Sequence, residues 1–313
     1  MADHQATIAT DEIQSLLASY FSGEITDLVE LTGGRISRTY AFHVGEQAYI
    51  IRFNKDNMLN TNLPKEAYLS QRLASSRIPI PPIFYTGRLG ELYYAISQKM
   101  PGKMLDQLSP QEVEELLPEV IELLDTIHQV DVSTTTGYGI FDYQGQGMAA
   151  SWRDSLLQVG QEEDTRDFFG KWYHLFEDSF LERDLYQELY RKMRQLLDVC
   201  PTERYLLHGS PSFRNILAEQ GRVSAVLDWV DARYGDFVYD IAYLDIWTPE
   251  FRIAERFQEY YQQRQQEVTH YQERLLCYYY YIALGALRFY AYSNEAGAYQ
   301  WMRQVILAKH SLA

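Results

Sequence analysis

Two side chains that carry oxygen ligands, Asn215 and Asp228, flank a segment with the pattern of a β-hairpin. Residues 216 to 227 favour strands on both sides of Gly221, which suits a tight turn. A hairpin brings the residues that flank it to the same end of two paired strands. An amide oxygen and a carboxylate held there are hard ligands, which bind Mg²⁺ together with the phosphates of a substrate. The sequence therefore predicts a magnesium site at Asn215 and Asp228.

The residues before this hairpin follow the order of a protein-kinase catalytic loop, which reads His-x-Asp-x-x-x-x-Asn and precedes a metal-binding Asp. His208, Asn215 and Asp228 hold the first, last and metal positions. Ser210 holds the third position, where kinases carry the Asp that accepts the proton of the substrate hydroxyl. A serine hydroxyl cannot act as a general base near pH 7, and such a base contributes about 10²–10⁴-fold to the rate. We therefore expect Ser210 to depress turnover without abolishing nucleotide and metal binding.

Three interpretations of Ser210 stay open on the sequence alone. The protein is a slow enzyme, it uses another carboxylate such as Asp231 as the base, or it binds its ligands without catalysis. Asp231 and Asp245 both follow the hairpin closely. They are equally well explained as solvated acids and as groups that bind an amine of the substrate.

The first hundred residues contain counterparts of the other parts of a kinase site. Gly33 and Gly34 lie in a turn after a strand pattern, where backbone N–H groups can approach phosphates. Arg52 occupies the strand position at which kinases carry a Lys that pairs with phosphates. Glu66, on the helix predicted to follow, is the natural ion-pair partner of Arg52. This set predicts a nucleotide-binding site.

A further strand pattern leads into Gln98, Lys99 and Met100, just before Pro101-Gly102. Proline and glycine end a strand and favour a turn. We interpret these residues as a hinge between two lobes, whose backbone binds adenine.

The order of elements around these residues predicts an α+β protein with the two-lobed fold of protein kinases. Before residue 100, short strand patterns surround one helix over residues 64–75; the strands are predicted over 28–31, 39–44, 47–53 and 92–98. After it, helical periods dominate, beginning with a capping box at Ser109 and a run that Pro118 is expected to break or kink. Further helices are predicted over 150–160, 165–198, 250–268 and 270–292. The predicted domains are a nucleotide-binding lobe over residues 1–100 and a larger helical lobe over residues 101–313 with the catalytic loop and the acceptor site.

The composition excludes several classes of protein. The chain has 313 residues with 28 basic and 43 acidic side chains, a net charge of −15 at pH 7. This charge disfavours nucleic acid as a partner and suits a small cationic acceptor. No apolar run is long enough to span a membrane, and the first residues lack a secretory signal, so we expect no membrane partner and a cytoplasmic location. Cys200 and Cys277 are far apart and lack metal spacing, which favours reduced structural thiols.

Beyond these single positions, the chain resembles the aminoglycoside phosphotransferase family of kinase-like enzymes. The resemblance extends over roughly residues 25–250 and is carried, besides the catalytic loop, by the segments 136–139, 144–147, 152–154, 222–229 and 235–236. It implies an ATP- and Mg²⁺-dependent O-phosphotransferase that modifies one hydroxyl of a small cationic amino-sugar, as in antibiotic resistance. It also implies structural roles for His208 and for Asp240, which would brace the catalytic loop. The alternatives are a catalytically impaired pseudoenzyme that binds nucleotide or ligand, and a metabolite kinase for another amino-alcohol such as choline or homoserine.

Overall fold

The computed structural model of the chain describes residues 8–31, 37–55, 62–162 and 170–311. Its strands are β1 (Ile25–Leu31), β2 (Arg38–Val44), β3 (Gln47–Lys55), β4 (Ile83–Leu89), β5 (Leu92–Gln98), β6 (Lys103–Met104), β7 (Tyr138–Phe141), β8 (Gly147–Ala149), β9 (Tyr205–Leu207), β10 (Ile216–Glu219), β11 (Arg222–Val226) and β12 (Arg233–Gly235). Its helices are α1 (Thr10–Ala18), α2 (Asn62–Leu73), α3 (Pro110–His128), α4 (Trp152–Leu157), α5 (Leu175–Asp178), α6 (Arg183–Leu196), α7 (Val238–Trp247), α8 (Ile253–Gln263), α9 (Tyr271–Tyr292) and α10 (Ala296–Ser311).

The N-terminal part is a five-stranded antiparallel sheet in the order β1-β2-β3-β5-β4. Strand β3 lies at its centre, and Arg52 pairs with Thr39 of β2 and Ala95 of β5. Alternate side chains of the central strands, such as Phe42 and Ile51, are fully buried and pack with Ile13 and Leu17 of α1 in a core of their own. Strand β4 was not predicted, because the prolines before it and Gly87 within it weaken the strand pattern.

Helix α2 lies between β3 and β4 in sequence, but its buried leucines belong to the second, larger core. Its buried residues Leu69 and Leu73 cluster with Ile78 and with the apolar face of α3. The two cores otherwise separate near residue 100, where the lobe boundary was predicted; that boundary stays a prediction. Because α2 carries Glu66, the packing of this helix fixes one predicted site residue against the C-terminal lobe.

The C-terminal lobe confirms the predicted hairpin and alters two predicted helices. Strands β10 and β11 pair antiparallel, and β6 extends them to three strands. Helix α3 begins with the predicted capping box at Ser109 but runs unbroken through Pro118. Pro118 lies on the exposed face of α3, where water can satisfy the carbonyl that loses its hydrogen bond. Of the two predicted effects of Pro118, the break is wrong, and the kink stays a prediction.

The helix predicted over residues 165–198 is also wrong in its extent. The described part of this region contains the short α5 and the longer α6, separated at Ser179. Ser179 has an extended backbone with φ −141°, its hydroxyl donates to the carbonyl of Leu175, and it accepts the N–H of Leu181. A side chain that bonds to its own backbone in this way competes with the helix.

Helices α6, α7, α9 and α10 form the body of the C-terminal lobe. Helix α9 confirms the helix predicted over residues 270–292, and the tyrosine run at its centre is buried over residues 278–280. Both cysteines are free thiols. Within the described residues, none of the helices combines the length and the apolar character that crossing a membrane requires. The α+β, kinase-like fold class is confirmed by the structures compared below.

Candidate active site

The hairpin brings Asn215 and Asp228 to the same end of two paired strands. Ile216 pairs with Val226, and the N–H of Leu227 donates to the carbonyl oxygen of Asn215 at 2.7 Å. Asp228 comes next in the chain and adopts a left-handed backbone with φ 60°. This conformation turns the chain out of β11 immediately after the last pair. The predicted geometry is confirmed, and the metal-binding role of the two residues stays a prediction.

Asp228 keeps an exposed surface at the end of the hairpin, but protein, including the charged groups of Glu66, Arg52 and Asp231, crowds its carboxyl. This partial desolvation raises the pKa of its carboxyl to about 6; the charge of Glu66 raises it further, and Arg52 opposes both effects. A carboxylate that is costly to ionise in such surroundings gains most from a cation placed beside it. The electrostatics at Asp228 are therefore those of a cation site.

Asn215 is oriented by the catalytic loop. Its Nδ2 donates to the carbonyl oxygen of Ser210 at 3.2 Å. With the amide nitrogen engaged in this way, Oδ1 is the atom that can face a cation. Within the described ranges no group of three or more His, Cys, Asp or Glu side chains could hold a metal ion. Two protein ligands fit Mg²⁺, which usually keeps waters and substrate phosphates as its other ligands.

The catalytic loop is held from behind by the buried carboxylate of Asp240. Its oxygens accept the N–H groups of His208 at 2.8 Å and Gly209 at 2.9 Å, and Oδ2 also lies 3.1 Å from Nε2 of His128. Asp240 is completely buried and lies in the first turn of α7. These contacts agree with the bracing role that the family resemblance implied. His128 was not predicted, because it is far away in sequence at the end of α3.

His208 is placed to support the loop rather than to exchange protons with a substrate. Its side chain is fully buried, and Nε2 donates to the carbonyl oxygen of Leu227 at 2.9 Å. Burial lowers the pKa of the imidazole, although Asp240 opposes this effect. The neutral ring thus links the catalytic loop to the residue before Asp228.

Ser210 and Asp231 lie on adjoining backbone segments. Ser210 is buried, with 8% of its surface exposed. Gly209 has φ 87°, and a Cβ at this position would lie 2.0 Å from the carbonyl oxygen of Asp231. Only glycine allows so close an approach. The carboxylate of Asp231 is 45% exposed and lies 3.6 Å from Nη2 of Arg233, so the chain has an accessible acid beside the loop that carries Ser210.

Across the cleft, Arg52 and Glu66 form the predicted ion pair. Nη2 of Arg52 lies 2.6 Å from Oε2 of Glu66, and both side chains are largely buried. Burial opposes the charge of the guanidinium, but the attraction and hydrogen bond of Glu66 outweigh it, and the pKa of Arg52 is raised. The charge of Asp228 contributes in the same direction. The basic group of the N-terminal lobe is thus close enough to Asp228, the predicted metal residue, for the two charges to interact.

The segment predicted to be the hinge begins at the end of β5, and its role as a hinge stays a prediction. Gln98 is the last residue of β5, and the N–H groups of Gln98 and Lys99 donate to the carbonyls of Pro82 and Ala48. Adenine would therefore have to use the carbonyls of this segment and the N–H of Met100. The predicted phosphate turn at Gly33 and Gly34 lies outside the described residues.

The sequence did not predict a role for Lys65, and it allowed Asp245 to be either a solvated acid or a group that binds an amine of the substrate. The side chain of Lys65 is completely buried beside the residues that follow Asp228. Its signal in the sequence was its place next to Glu66 on a helix face that is otherwise apolar. Asp245 is neither solvated nor available to an amine of the substrate. It is buried and accepts hydrogen bonds from Lys309 at 2.6 Å and Tyr279 at 2.5 Å.

Together, the two lobes and the charged groups that face each other across the cleft define a kinase-like phosphotransferase. The chain belongs to the phosphotransferase enzyme family known as APH, whose family model matches residues 27–276. The family membership predicted from the sequence is confirmed.

Individual relatives agree with this assignment. The chain is 30% identical over 256 residues to hygromycin-B 4-O-kinase of Escherichia coli. This match covers 82% of this chain and 72% of the relative. It is 26% identical, with a TM-score of 0.80, to a thermostable mutant of aminoglycoside phosphotransferase APH(4)-Ia in a ternary complex with AMP-PNP and hygromycin B; this match covers 95% of this chain and 97% of that chain. The streptomycin–ATP–APH(2″)-IIa complex shares the fold, with a TM-score of 0.61 at 16% identity over 96% of this chain and 97% of that chain.

Proposed function

We propose that this protein transfers the γ-phosphoryl group of ATP to one hydroxyl of a small cationic amino-sugar of the hygromycin type. The observation that carries the proposal is the Arg52–Glu66 ion pair, which is close enough to Asp228 for their charges to interact, while Asn215 lies at the same end of the hairpin as Asp228. The relative that is 30% identical is a hygromycin-B 4-O-kinase, and the related APH(4)-Ia mutant holds AMP-PNP with hygromycin B. The net charge of −15 favours the encounter with a cationic acceptor.

In this proposal each residue of the site has a separate task. Arg52, held in place by Glu66, pairs with the phosphates of ATP, and the hinge at Gln98, Lys99 and Met100 binds adenine. Phosphoryl transfer passes through a loose transition state, so that positioning and charge neutralisation supply most of the catalysis.

Asn215 and Asp228 are proposed to hold Mg²⁺. The bound ion neutralises charge on the phosphate oxygens. Gly33 and Gly34 are proposed to approach the phosphates through their backbone.

The proton of the acceptor hydroxyl is proposed to go to Asp231, because Ser210 cannot take it. Asp231 adjoins the catalytic loop through Gly209, and its carboxylate is accessible. If Asp231 is the base, Asp231→Asn lowers kcat by about 10²–10⁴-fold, whereas Ser210→Ala leaves kcat within a few-fold of wild type.

Phosphate transfer from Mg·[γ-³²P]ATP to hygromycin B tests the proposed function. Streptomycin, choline and homoserine serve as comparison acceptors, and Asp228→Asn is the inactive control. We expect labelled product with hygromycin B and less or none with choline and homoserine. Tight binding of Mg·ATP without a labelled product from any acceptor would contradict the proposal.

A second function, binding without catalysis, is favoured by one observation, namely Ser210 at the position of the family's base. The variant Ser210→Asp separates the two functions. A rise in kcat of about two orders of magnitude would show that the site lacks only this base. An active wild type that Ser210→Asp does not improve would favour Asp231, and an inactive protein in both forms would favour the binding function.

A further inference from the structure

Lys65 is a buried charged residue to which the proposed reaction assigns no task. It lies in the first half of α2 and is 0% exposed. Lysine is almost never fully buried unless its ammonium group has polar partners. Its complete burial therefore requires a specific set of contacts.

The partners of Lys65 are backbone carbonyls of the C-terminal lobe. Nζ donates to the carbonyl oxygens of Val230 and, at 3.4 Å, of Ala232. It also lies 5.2 Å from the centroid of the Phe141 ring, within the range of a cation–π contact. An ammonium group has three N–H donors, and the two carbonyls accept from two of them. The lysine thus binds a turn of the chain rather than an acidic side chain.

The turn that Lys65 binds begins at the predicted metal residue. Asp228 leaves the strand with a left-handed backbone, and Trp229–Asp231 form a single turn of 3₁₀-helix after it. Val230 and Ala232 are two and four residues beyond Asp228. The turn at residues 229–232 fixes the backbone of Asp228. If the carbonyl of Val230 or Ala232 shifts, this turn shifts and the position of Asp228 changes with it.

Lys65 is also next to the residues that are proposed to position the nucleotide. Glu66 is its neighbour on α2 and pairs with Arg52. One ammonium group therefore connects the helix that positions Arg52 with the turn that positions Asp228. Because α2 packs with the larger core, a displacement of this helix would move both halves of the site together.

The surroundings keep this ammonium charged near neutral pH. Burial lowers the pKa of Lys65 to about 8, and Arg233 acts in the same direction, whereas Asp231, Glu66 and Asp228 raise it. Most of the lysine is therefore protonated at pH 7. A charged group donates the stronger hydrogen bonds to the two carbonyls.

We propose that Lys65 is a positioning residue, which holds the turn at residues 229–232 against α2 so that Asp228 faces the metal bound to the nucleotide. The proposal rests on the proposed function in that it takes Asp228 to be the metal ligand. It assigns Lys65 no contact with substrate or cofactor. Outer partners of metal ligands typically contribute 10–100-fold to metal affinity or activity.

The test compares Lys65→Met with Ser70→Ala, a control on the same helix. Methionine keeps the length and apolar character of the stem but removes the donor to the carbonyls of Val230 and Ala232, so urea unfolding first checks that the variant is folded. Ser70 is also buried on α2, but it bonds to Pro81 and Ile83 at 2.9 Å, on the side of the N-terminal lobe. Lys65→Gln, which keeps a neutral donor, is the second variant and should give intermediate values.

Two measurements decide the matter without an acceptor substrate. Calorimetric titration with AMP-PNP is carried out with and without Mg²⁺, and hydrogen exchange is followed at the amides of residues 229–232. For Lys65→Met we expect Mg²⁺-dependent binding to weaken by about 10–100-fold, metal-free binding to change little, and these amides to exchange faster. Ser70→Ala should keep both the metal dependence and the protection of these amides.

Two results would overturn the proposal while leaving the proposed function in place. The first is that Lys65→Met binds Mg·AMP-PNP as tightly as wild type and protects the amides of residues 229–232 from exchange to the same extent. The other is an equal loss in Lys65→Met and Ser70→Ala, which would show ordinary loosening of α2. A wild-type protein that binds no Mg·AMP-PNP would contradict the proposed function as well, so the two failures can be told apart.

Discussion

Arg52 on β3 and Glu66 on α2 form a buried ion pair, with Nη2 of Arg52 2.6 Å from Oε2 of Glu66. Neither residue lies in the motif that identified the site, which is more than a hundred residues further along the chain. The pair faces Asp228, whose charge adds to the rise in the pKa of Arg52. The N-terminal lobe thus presents a cation that is fixed before any phosphate arrives.

Removing the charge of Glu66 should release this cation. In Glu66→Gln, Arg52 loses its charged partner in a largely buried position, which costs about 1–3 kcal/mol of stability. We expect kcat/KM for ATP to fall at least tenfold. Glu30→Gln is the matched control, because Glu30 pairs with Arg38 at 2.7 Å on the exposed edge of the same sheet. An equal change in both variants would contradict the role of Arg52.

Asp228 should lower the stability of the ligand-free protein at neutral pH. Its folded-state pKa, about 6, lies above the ordinary value of 3.8, so the folded protein binds more protons than the unfolded chain between these values. Stability contributed by this group is present below pH 3.8 and is lost as the pH rises through 6. In urea unfolding without metal, Asp228→Asn should therefore become more stable than wild type as the pH rises from about 4.5 to about 7.5, a range that brackets the pKa of about 6. The control Glu219→Gln, at the exposed other end of the hairpin, should not gain stability in this way. A larger gain in Glu219→Gln than in Asp228→Asn would contradict the crowding of Asp228.

His208 should make the protein sensitive to acid. Burial lowers its folded-state pKa below the ordinary value of 6.5, so the unfolded chain binds protons more readily. Stability should fall as the pH drops below 6.5. His208→Gln keeps a donor for Leu227 but does not titrate, so its urea midpoint should change less between pH 7 and 5 than that of wild type. The control His270→Gln alters an exposed residue and should follow wild type.

Asp240 should be required for the shape of the catalytic loop. In Asp240→Asn, an amide N–H₂ replaces one oxygen and faces donors at His208, Gly209 or His128. We expect a stability loss of about 1–3 kcal/mol and a fall in kcat that exceeds the change in Mg·ATP affinity. Kinetics and calorimetry on the same preparation check this. Full kcat in the variant would show that the loop keeps its shape without the brace.

The features of the site that depend on local pattern could be predicted from the sequence. Asn215 and Asp228 were found because a hairpin imposes a fixed geometry on its flanking residues, and Arg52 with Glu66 because strand, helix and spacing agree with a kinase pattern. Their roles stay predictions.

What escaped prediction depends on contacts between distant parts of the chain. Helix α7, which carries Asp240, is buried on nearly all sides and therefore has no amphipathic period to reveal it. The burial of Lys65 and the pairing of Asp245 with Lys309 need contacts across 165 and 64 positions of the chain. No local pattern encodes such contacts. Only the packed structure shows that Lys65 donates to the carbonyls of a turn and that Lys309 pairs with the carboxylate of Asp245.

Asn215 and Asp228 together are proposed to hold a divalent ion on the bound nucleotide. Mn²⁺ accepts the same oxygen ligands as Mg²⁺ and is visible by electron paramagnetic resonance. Titrating Mn²⁺ into the protein with AMP-PNP, for wild type, Asn215→Ala, Asp228→Asn and Glu219→Gln, measures the bound ion directly. We predict tight binding in wild type and Glu219→Gln, weaker binding in Asn215→Ala, and loss of the protein-bound signal in Asp228→Asn. Equal Mn²⁺ binding in all four proteins would contradict the claim.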